Sequence, residues 1–80
     1  MHEDVTDSRR RAQIAQDLLL EILRRHGGSH HVSACVDEVN AGLPGRWRRE
    51  NQVDFGRGAV TGLENYGKIV VGSDGMLRIK

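Results

Sequence analysis

The sequence predicts a mainly α-helical domain that ends in a small β-hairpin. Apolar residues recur at three- and four-residue spacing near the amino end, which is typical of an amphipathic helix. Near the carboxyl end, two segments rich in β-branched residues flank Gly72-Ser73-Asp74-Gly75, and Asp-Gly is a strong hairpin signal. The 80 residues suffice for one core, because a domain of this size buries only roughly 60% of its unfolded surface.

The first helix is predicted from about Ser8 to His26. Its apolar side consists of Ile14, Ala15, Leu18, Leu19, Ile22 and Leu23. Gly27 can adopt the left-handed conformation at which helices commonly end. Residues 1 to 7 contain three carboxylates and no apolar periodicity. We therefore expect a flexible acidic tail at residues 1 to 7, ahead of a domain at residues 8 to 80.

A brief strand and a short second helix are predicted next. Residues 29 to 32 are too few for a helix and can form a strand. From Ser33, a possible cap, to about Ala41 the apolar residues share one side, so a helix is expected that ends at Gly42. The residues on that side are Cys35, Val36 and Val39.

Residues 43 to 49 predict an exposed loop, because Pro44 and Gly45 interrupt any helix. Three arginines crowd around Trp47, which is expected to anchor this loop.

A third helix is predicted from Asn51 or Asp54 to Tyr66, with Gly67 as its stop. Its apolar side is expected to consist of Val53, Val60, Leu63 and Tyr66. The same segment contains three glycines, each of which weakens a helix by about 1 kcal/mol relative to alanine. Tertiary packing must therefore hold this helix in place.

The net charge of +1 conceals a local excess of positive charge. Residues 44 to 60 contain four arginines and only two carboxylates. Ten of the twelve cationic residues are arginine, whose planar guanidinium suits phosphates and base edges. This composition favours an anionic partner.

The cysteine count and the hydropathy pattern bear on the compartment. Cys35 is the only cysteine, so the chain has no internal disulfide and suits a reducing compartment. No apolar run approaches the roughly 20 residues needed to cross a membrane. We therefore expect no membrane partner and a location in the cytoplasm, associated with the nucleoid, or in the nucleus.

The predicted order of helix, strand, helix, loop, helix and hairpin resembles the winged helix-turn-helix family over about residues 8 to 80. The best local match is Leu63-Glu64-Asn65-Tyr66-Gly67-Lys68-Ile69, which resembles the passage from the third helix of that family into its wing. The resemblance implies duplex DNA as the partner, with the third helix in the major groove and the wing near the backbone. It also implies a regulator of transcription or of another DNA transaction.

Given that resemblance, the candidate groove-reading residues are Arg57, Thr61 and Asn65, which form an i, i+4, i+8 line opposite the predicted apolar side. All three side chains can contact base edges. Gly58 and Gly62 lie beside this line and would permit close approach of the backbone to a phosphate. The alternative is an ordinary solvated helix face.

Two further groups of cations are candidate phosphate contacts. Arg46, Arg48 and Arg49 around Trp47 could neutralise phosphates. The alternative makes Trp47 a lid on the core with solvated arginines beside it, and the two interpretations can coexist. The hairpin adds Lys68, Arg78 and Lys80. Basic edge strands are also a common protection against aggregation, so both interpretations of the hairpin cations stay open.

The main alternative function is a winged-helix interaction module that docks on a protein complex through its first helix or its hairpin. An RNA-binding version of the same fold is a third candidate. A homodimer would suit the reading of two DNA half-sites, although no segment is a dedicated dimerisation helix.

We expect no metal, no cofactor and no catalytic site. His26, His30, His31 and Cys35 suggest zinc, but they span a Gly-Gly break, and Cys35 belongs to an apolar helix side. The glycines at 56, 58 and 62 lack the preceding strand of a nucleotide-binding loop. Neither Ser33 nor Ser73 has a plausible base, so the chain is not expected to be an enzyme.

Overall fold

A computed structural model describes the chain from residue 2 to residue 80, with side chains from Ser8 onward. Over that range the chain is mainly helical with a small antiparallel sheet, as predicted. The elements are α1 (His2–Arg25), β1 (Ser29–His31), α2 (Val32–Gly42), α3 (Gly45–Asn51), α4 (Phe55–Asn65), β2 (Ile69–Val71) and β3 (Met76–Ile79). Among the described residues, none of the helices has both the length and the apolar character required to cross a bilayer.

Helix α1 starts at His2, whereas the sequence predicts its start at about Ser8. Once a helix has nucleated, each added residue gains a backbone hydrogen bond, so a polar turn can extend it without an apolar side. The predicted end is confirmed, because Gly27 has a φ of +76° and the Gly28 N–H donates to the Leu23 carbonyl. Met1 and the side chains of residues 2 to 7 lie outside the described residues, so the acidic tail stays a prediction.

The core lies between α1, α2, α4 and the inner face of the sheet. The predicted sides of the first two helices are largely confirmed, although Ile14 is exposed. The buried residues are Ala15, Leu19, Ile22, Leu23, Cys35, Val39, Phe55, Ala59, Val60, Leu63, Ile69 and Leu77. Burial raises the pKa of the Cys35 thiol to about 11, and Glu38 adds to the effect. Cys35 is therefore a protonated core residue at neutral pH.

The predicted hairpin is confirmed, and β1 joins it. Strand β3 pairs antiparallel with both β1 and β2, so the sheet order is β1-β3-β2. Leu77 opposite Val71 faces the core, whereas Arg78 opposite Val70 lies on the outer face. The predicted strand residue Val32 instead starts α2.

The predicted loop at residues 43 to 49 is wrong. Residues Gly45–Asn51 form a helix, α3, so the described residues contain four helices rather than three. Pro44 is its N-cap, where proline is tolerated because the first amides of a helix have no internal partner.

The predicted apolar side of the third helix, which is α4 in the structure, is half correct. Val60 and Leu63 are buried, but Val53 and Tyr66 are exposed, Tyr66 to 73%. Val53 precedes the first residue of α4, Phe55, and Tyr66 follows its last turn. The buried side is completed by Phe55 and Ala59.

Candidate nucleic-acid interface

A hydrogen-bonded network fixes the start of α4 against α2. Asp54 is the N-cap, and its Oδ1 accepts from the Arg57 N–H at 3.1 Å and from Asn40 Nδ2 at 2.9 Å. Asn40 Oδ1 in turn accepts from the Gly56 N–H at 3.0 Å. Both side chains satisfy amides that a helix start leaves without an internal partner. The network therefore sets the position of the outward side of α4.

The same contacts hold the pKa of the Asp54 carboxyl below its ordinary value of 3.8. The main cause is the hydrogen bond from Asn40, followed by the Arg57 amide and the charges of Arg48 and Arg57, which together outweigh the opposing effect of burial. The folded protein thus favours the ionised form of Asp54.

We expect Asp54→Ala to lower the free energy of unfolding by about 1–2 kcal/mol at neutral pH, because it removes the cap. Since the folded pKa lies below the unfolded value of 3.8, the contribution of the charge is complete above pH 3.8. It is lost as the pH falls through the folded pKa. Urea unfolding at a series of pH values measures this loss. Asp54→Asn, which keeps the hydrogen-bond acceptor without the charge, is the matched control. If the difference in unfolding free energy between the parent chain and Asp54→Asn did not change with pH, the charge of Asp54 would not contribute to stability.

The candidate line of Arg57, Thr61 and Asn65 lies on the exposed side of α4. The Arg57 side chain is 80% exposed. Glu64 is exposed beside this line, so one carboxylate of α4 lies close to it. Because Arg57, Thr61 and Asn65 share the exposed side, all three side chains can reach a ligand that lies along α4.

The two glycines beside this line differ in their surroundings. A Cβ at Gly62 would meet the terminal amide of Gln16 in α1, which is the far end of a flexible side chain and can move aside. A Cβ at Gly58 would meet no atom within 4 Å. Gly58 is therefore the more open of the two positions and fits the prediction of a close backbone approach to a ligand better.

Helix α3 is held in place through Trp47. The indole packs edge-on against Phe55 with ring centroids 6.0 Å apart, and the Arg11 guanidinium lies 4.9 Å from the centroid of its ring. Arg11 Nη1 also donates to Glu50 Oε1 and Asn51 Oδ1, both at 2.8 Å. Trp47 Nε1 is buried and has no hydrogen-bond partner within the described part of the chain. Trp47 is thus a lid on the core that also anchors the arginine-rich segment.

The structure brings two of the predicted arginines together. Arg48 Nη2 and Arg57 Nε each lie 3.9 Å from Asp54 Oδ2, so α3 and the start of α4 present adjacent guanidinium groups. Arg46 Nε lies 4.0 Å from Glu50 Oε2. Arg49 has no ion pair among residues 8 to 80. Each of the α3 arginines is exposed, so the cations can exchange these weak surface contacts for others.

The hairpin cations form a separate group. Arg78 Nη2 lies 2.7 Å from Asp74 Oδ2, and this contact lowers the pKa of the Asp74 carboxyl. The Lys80 N–H donates to the Lys68 carbonyl at 3.1 Å, which places the two lysines side by side at the base of the hairpin. Within the described residues, Arg78 pairs with Asp74, whereas Arg48 and Arg57 pair with Asp54, so the two groups share no carboxylate.

Sequence reasoning missed Arg11 and Asn40, which position α3 and α4. The only signal in the sequence is that both residues are polar and lie at the edge of the apolar side of a helix. This signal does not identify the residues that they contact in other helices.

Comparison with protein-family models, with curated proteins and with solved structures finds no match to this chain.

Proposed function

We propose that the protein is a small winged-helix DNA-binding protein that regulates transcription or another DNA transaction. The order of its elements supports this, since α1, β1, α2, α4 and the hairpin follow the order that the resemblance implies. Strand β3 lies between β1 and β2, so in this proposal the β2-β3 hairpin is the wing. In this proposal α3 is an insertion between the second helix and the recognition helix.

The observation that carries the proposal is the exposed side of α4. Arg57, Thr61 and Asn65 point away from the core on a helix whose start is fixed by Asn40 and Asp54. In the major groove, arginine donates hydrogen bonds to guanine and asparagine forms two hydrogen bonds with adenine. Threonine can form a hydrogen bond through its hydroxyl or contact the methyl group of thymine. Because α4 is already ordered, binding would require ordering of these side chains but not of the helix backbone.

The cations around α4 supply the contacts to the DNA backbone. Arg46, Arg48 and Arg49 lie on α3, and the adjacent position of Arg48 and Arg57 makes this group continuous with the reading side of α4. In the proposal Lys68, Arg78 and Lys80 contact the neighbouring backbone from the wing. Such contacts release counterions and make the affinity depend strongly on salt.

A salt titration of binding to random duplex DNA tests the proposal, with Arg57→Ala as the diagnostic variant. Affinity is expected to fall steeply as salt rises. Arg57→Ala is expected to relax the preference at one base pair by about 1–3 kcal/mol, measured on a panel of selected sequences. Arg25→Ala, an equivalent change at an exposed arginine of α1, is expected to change neither quantity.

The second candidate, a module that docks on a protein complex, is favoured by exposed apolar side chains on α1 and the hairpin. Ile14 and Val70 are each 41% exposed, and Val70 lies on the outer face of the sheet. Absence of duplex binding at low salt would sink the DNA proposal and favour this one. Tighter binding of RNA than of DNA in a competition assay would favour the RNA-binding alternative.

A further inference from the structure

Three side chains of types that can bind a metal ion lie close together, although they are separated along the chain. His26 follows the end of α1, His30 belongs to β1, and Glu38 lies on α2. Their ligand atoms all lie within 4.8 Å of one another. His30 Nε2 is 2.9 Å from Glu38 Oε2, and His26 Nε2 is 3.6 Å from Glu38 Oε1.

We propose that His26, His30 and Glu38 form a binding site for Zn²⁺. Two imidazole nitrogens and a carboxylate are ligands that zinc accepts at about 2.0–2.2 Å in a tetrahedral arrangement. Neighbouring ligand atoms of such a tetrahedron are about 3.3 Å apart. The two nitrogen-to-oxygen distances lie on either side of that value, although they run to the two different oxygens of Glu38. Rotation of the carboxylate and of the two rings would bring the three groups to coordination distance.

The arrangement of the two imidazole rings indicates which movement zinc binding would require. The imidazole rings are stacked, with centroids 3.7 Å apart and planes 6° from parallel. Because the lone pair of each Nε2 lies in its ring plane, the rings must tilt towards each other to share one ion. Both side chains are partly exposed, His26 to 39% and His30 to 21%, and His26 precedes Gly27 and Gly28, so this movement meets little packing resistance.

The site reverses the expectation of no metal, and it differs from the ligand set that the sequence analysis rejected. Cys35 is buried in the core as a thiol whose pKa is raised, and it does not belong to the cluster. His31 lies on the neighbouring position of β1, whose side chain points to the opposite face of the strand. In the cluster, Glu38 is the third ligand, and neither Cys35 nor His31 takes part. Three protein ligands leave one coordination position for water, and the ion would join α1, β1 and α2.

Isothermal titration calorimetry of the untagged protein with ZnCl₂ near neutral pH tests the site. We expect one saturable ion per chain and a rise in the unfolding temperature of the metal-bound protein. Glu38→Gln and His30→Gln are each expected to weaken the affinity by about a hundred-fold or more, because loss of even an outer partner costs 10–100-fold. His31→Gln, the matched control on the same strand, is expected to bind zinc like the parent chain.

Histidine ring signals in NMR spectra give a second measurement that does not depend on the variants. Zinc is expected to shift the ring resonances of His26 and His30 and to leave those of His31 in place. Absence of saturable binding, retained affinity in Glu38→Gln, or an equal loss in His31→Gln would overturn the proposal. None of these results depends on whether the protein binds DNA.

Discussion

Simultaneous replacement of Arg46, Arg48 and Arg49 by alanine is expected to weaken the binding of every duplex sequence by about a hundred-fold at about 0.1 M salt. Each lost phosphate contact removes about 0.9 from the slope of log affinity against log salt, so the slope should become shallower by about 2 to 3. The fold should persist, because Trp47, which holds α3 on Phe55, is unchanged. Fluorescence anisotropy with labelled duplexes at several salt concentrations measures both effects.

The control for this variant removes arginines elsewhere. Arg24 and Arg25 are exposed at the end of α1, outside α3, α4 and the hairpin. Their replacement by alanine lowers the net charge but should leave the slope almost unchanged. If this control lost as much affinity as the α3 variant, the effect would reflect net charge, and the assignment of phosphate contacts to α3 would be wrong.

Gly56→Ala is expected to lower the free energy of unfolding by about 1–3 kcal/mol, which is the usual cost of overpacking. The added Cβ would lie 2.5 Å from the Val36 carbonyl oxygen and 3.0 Å from Asn40 Nδ2. The backbone of α2 cannot yield as a flexible side chain could, so α4 must move away from α2. This loss should exceed the gain in helix propensity from alanine. Urea unfolding followed by circular dichroism measures the change.

Gly58→Ala is the matched control, two residues further along the same helix. No atom lies within 4 Å of the added Cβ, so the variant should be more stable by up to about 1 kcal/mol. If α4 approaches a phosphate closely, this more stable variant should also bind DNA less tightly. Equal stabilities of the two variants would contradict the close contact between α2 and α4.

The features that could be predicted from the sequence depend on local patterns. The buried side of α1 follows from apolar spacing alone, because one side of a helix repeats every three to four residues. The stop at Gly27 and the turn at Asp74-Gly75 follow from the backbone freedom of glycine, whose φ is +76° and +80° at these two sites. The exposed line of Arg57, Thr61 and Asn65 was likewise predictable from spacing.

The features that the sequence did not reveal arise where distant elements meet. Helix α3 is seven residues long, too short to be stable alone, and exists because Trp47 packs on Phe55 and Arg11 contacts Glu50. The apolar side of α4 was misassigned at Val53 because the start of that helix depends on Asn40 in α2. It was misassigned at Tyr66 because this residue follows the last turn of the helix.

The helical class and the hairpin are encoded in short-range spacing and glycine positions, and the concentration of arginines at residues 44 to 60 can be counted directly. The proximity of Arg48 and Arg57 at Asp54, and the contacts of both His26 and His30 with Glu38, arise only in the packed fold. The physical reason is that a side chain finds a partner in another element only after the core has packed. Its position along the chain does not specify that partner.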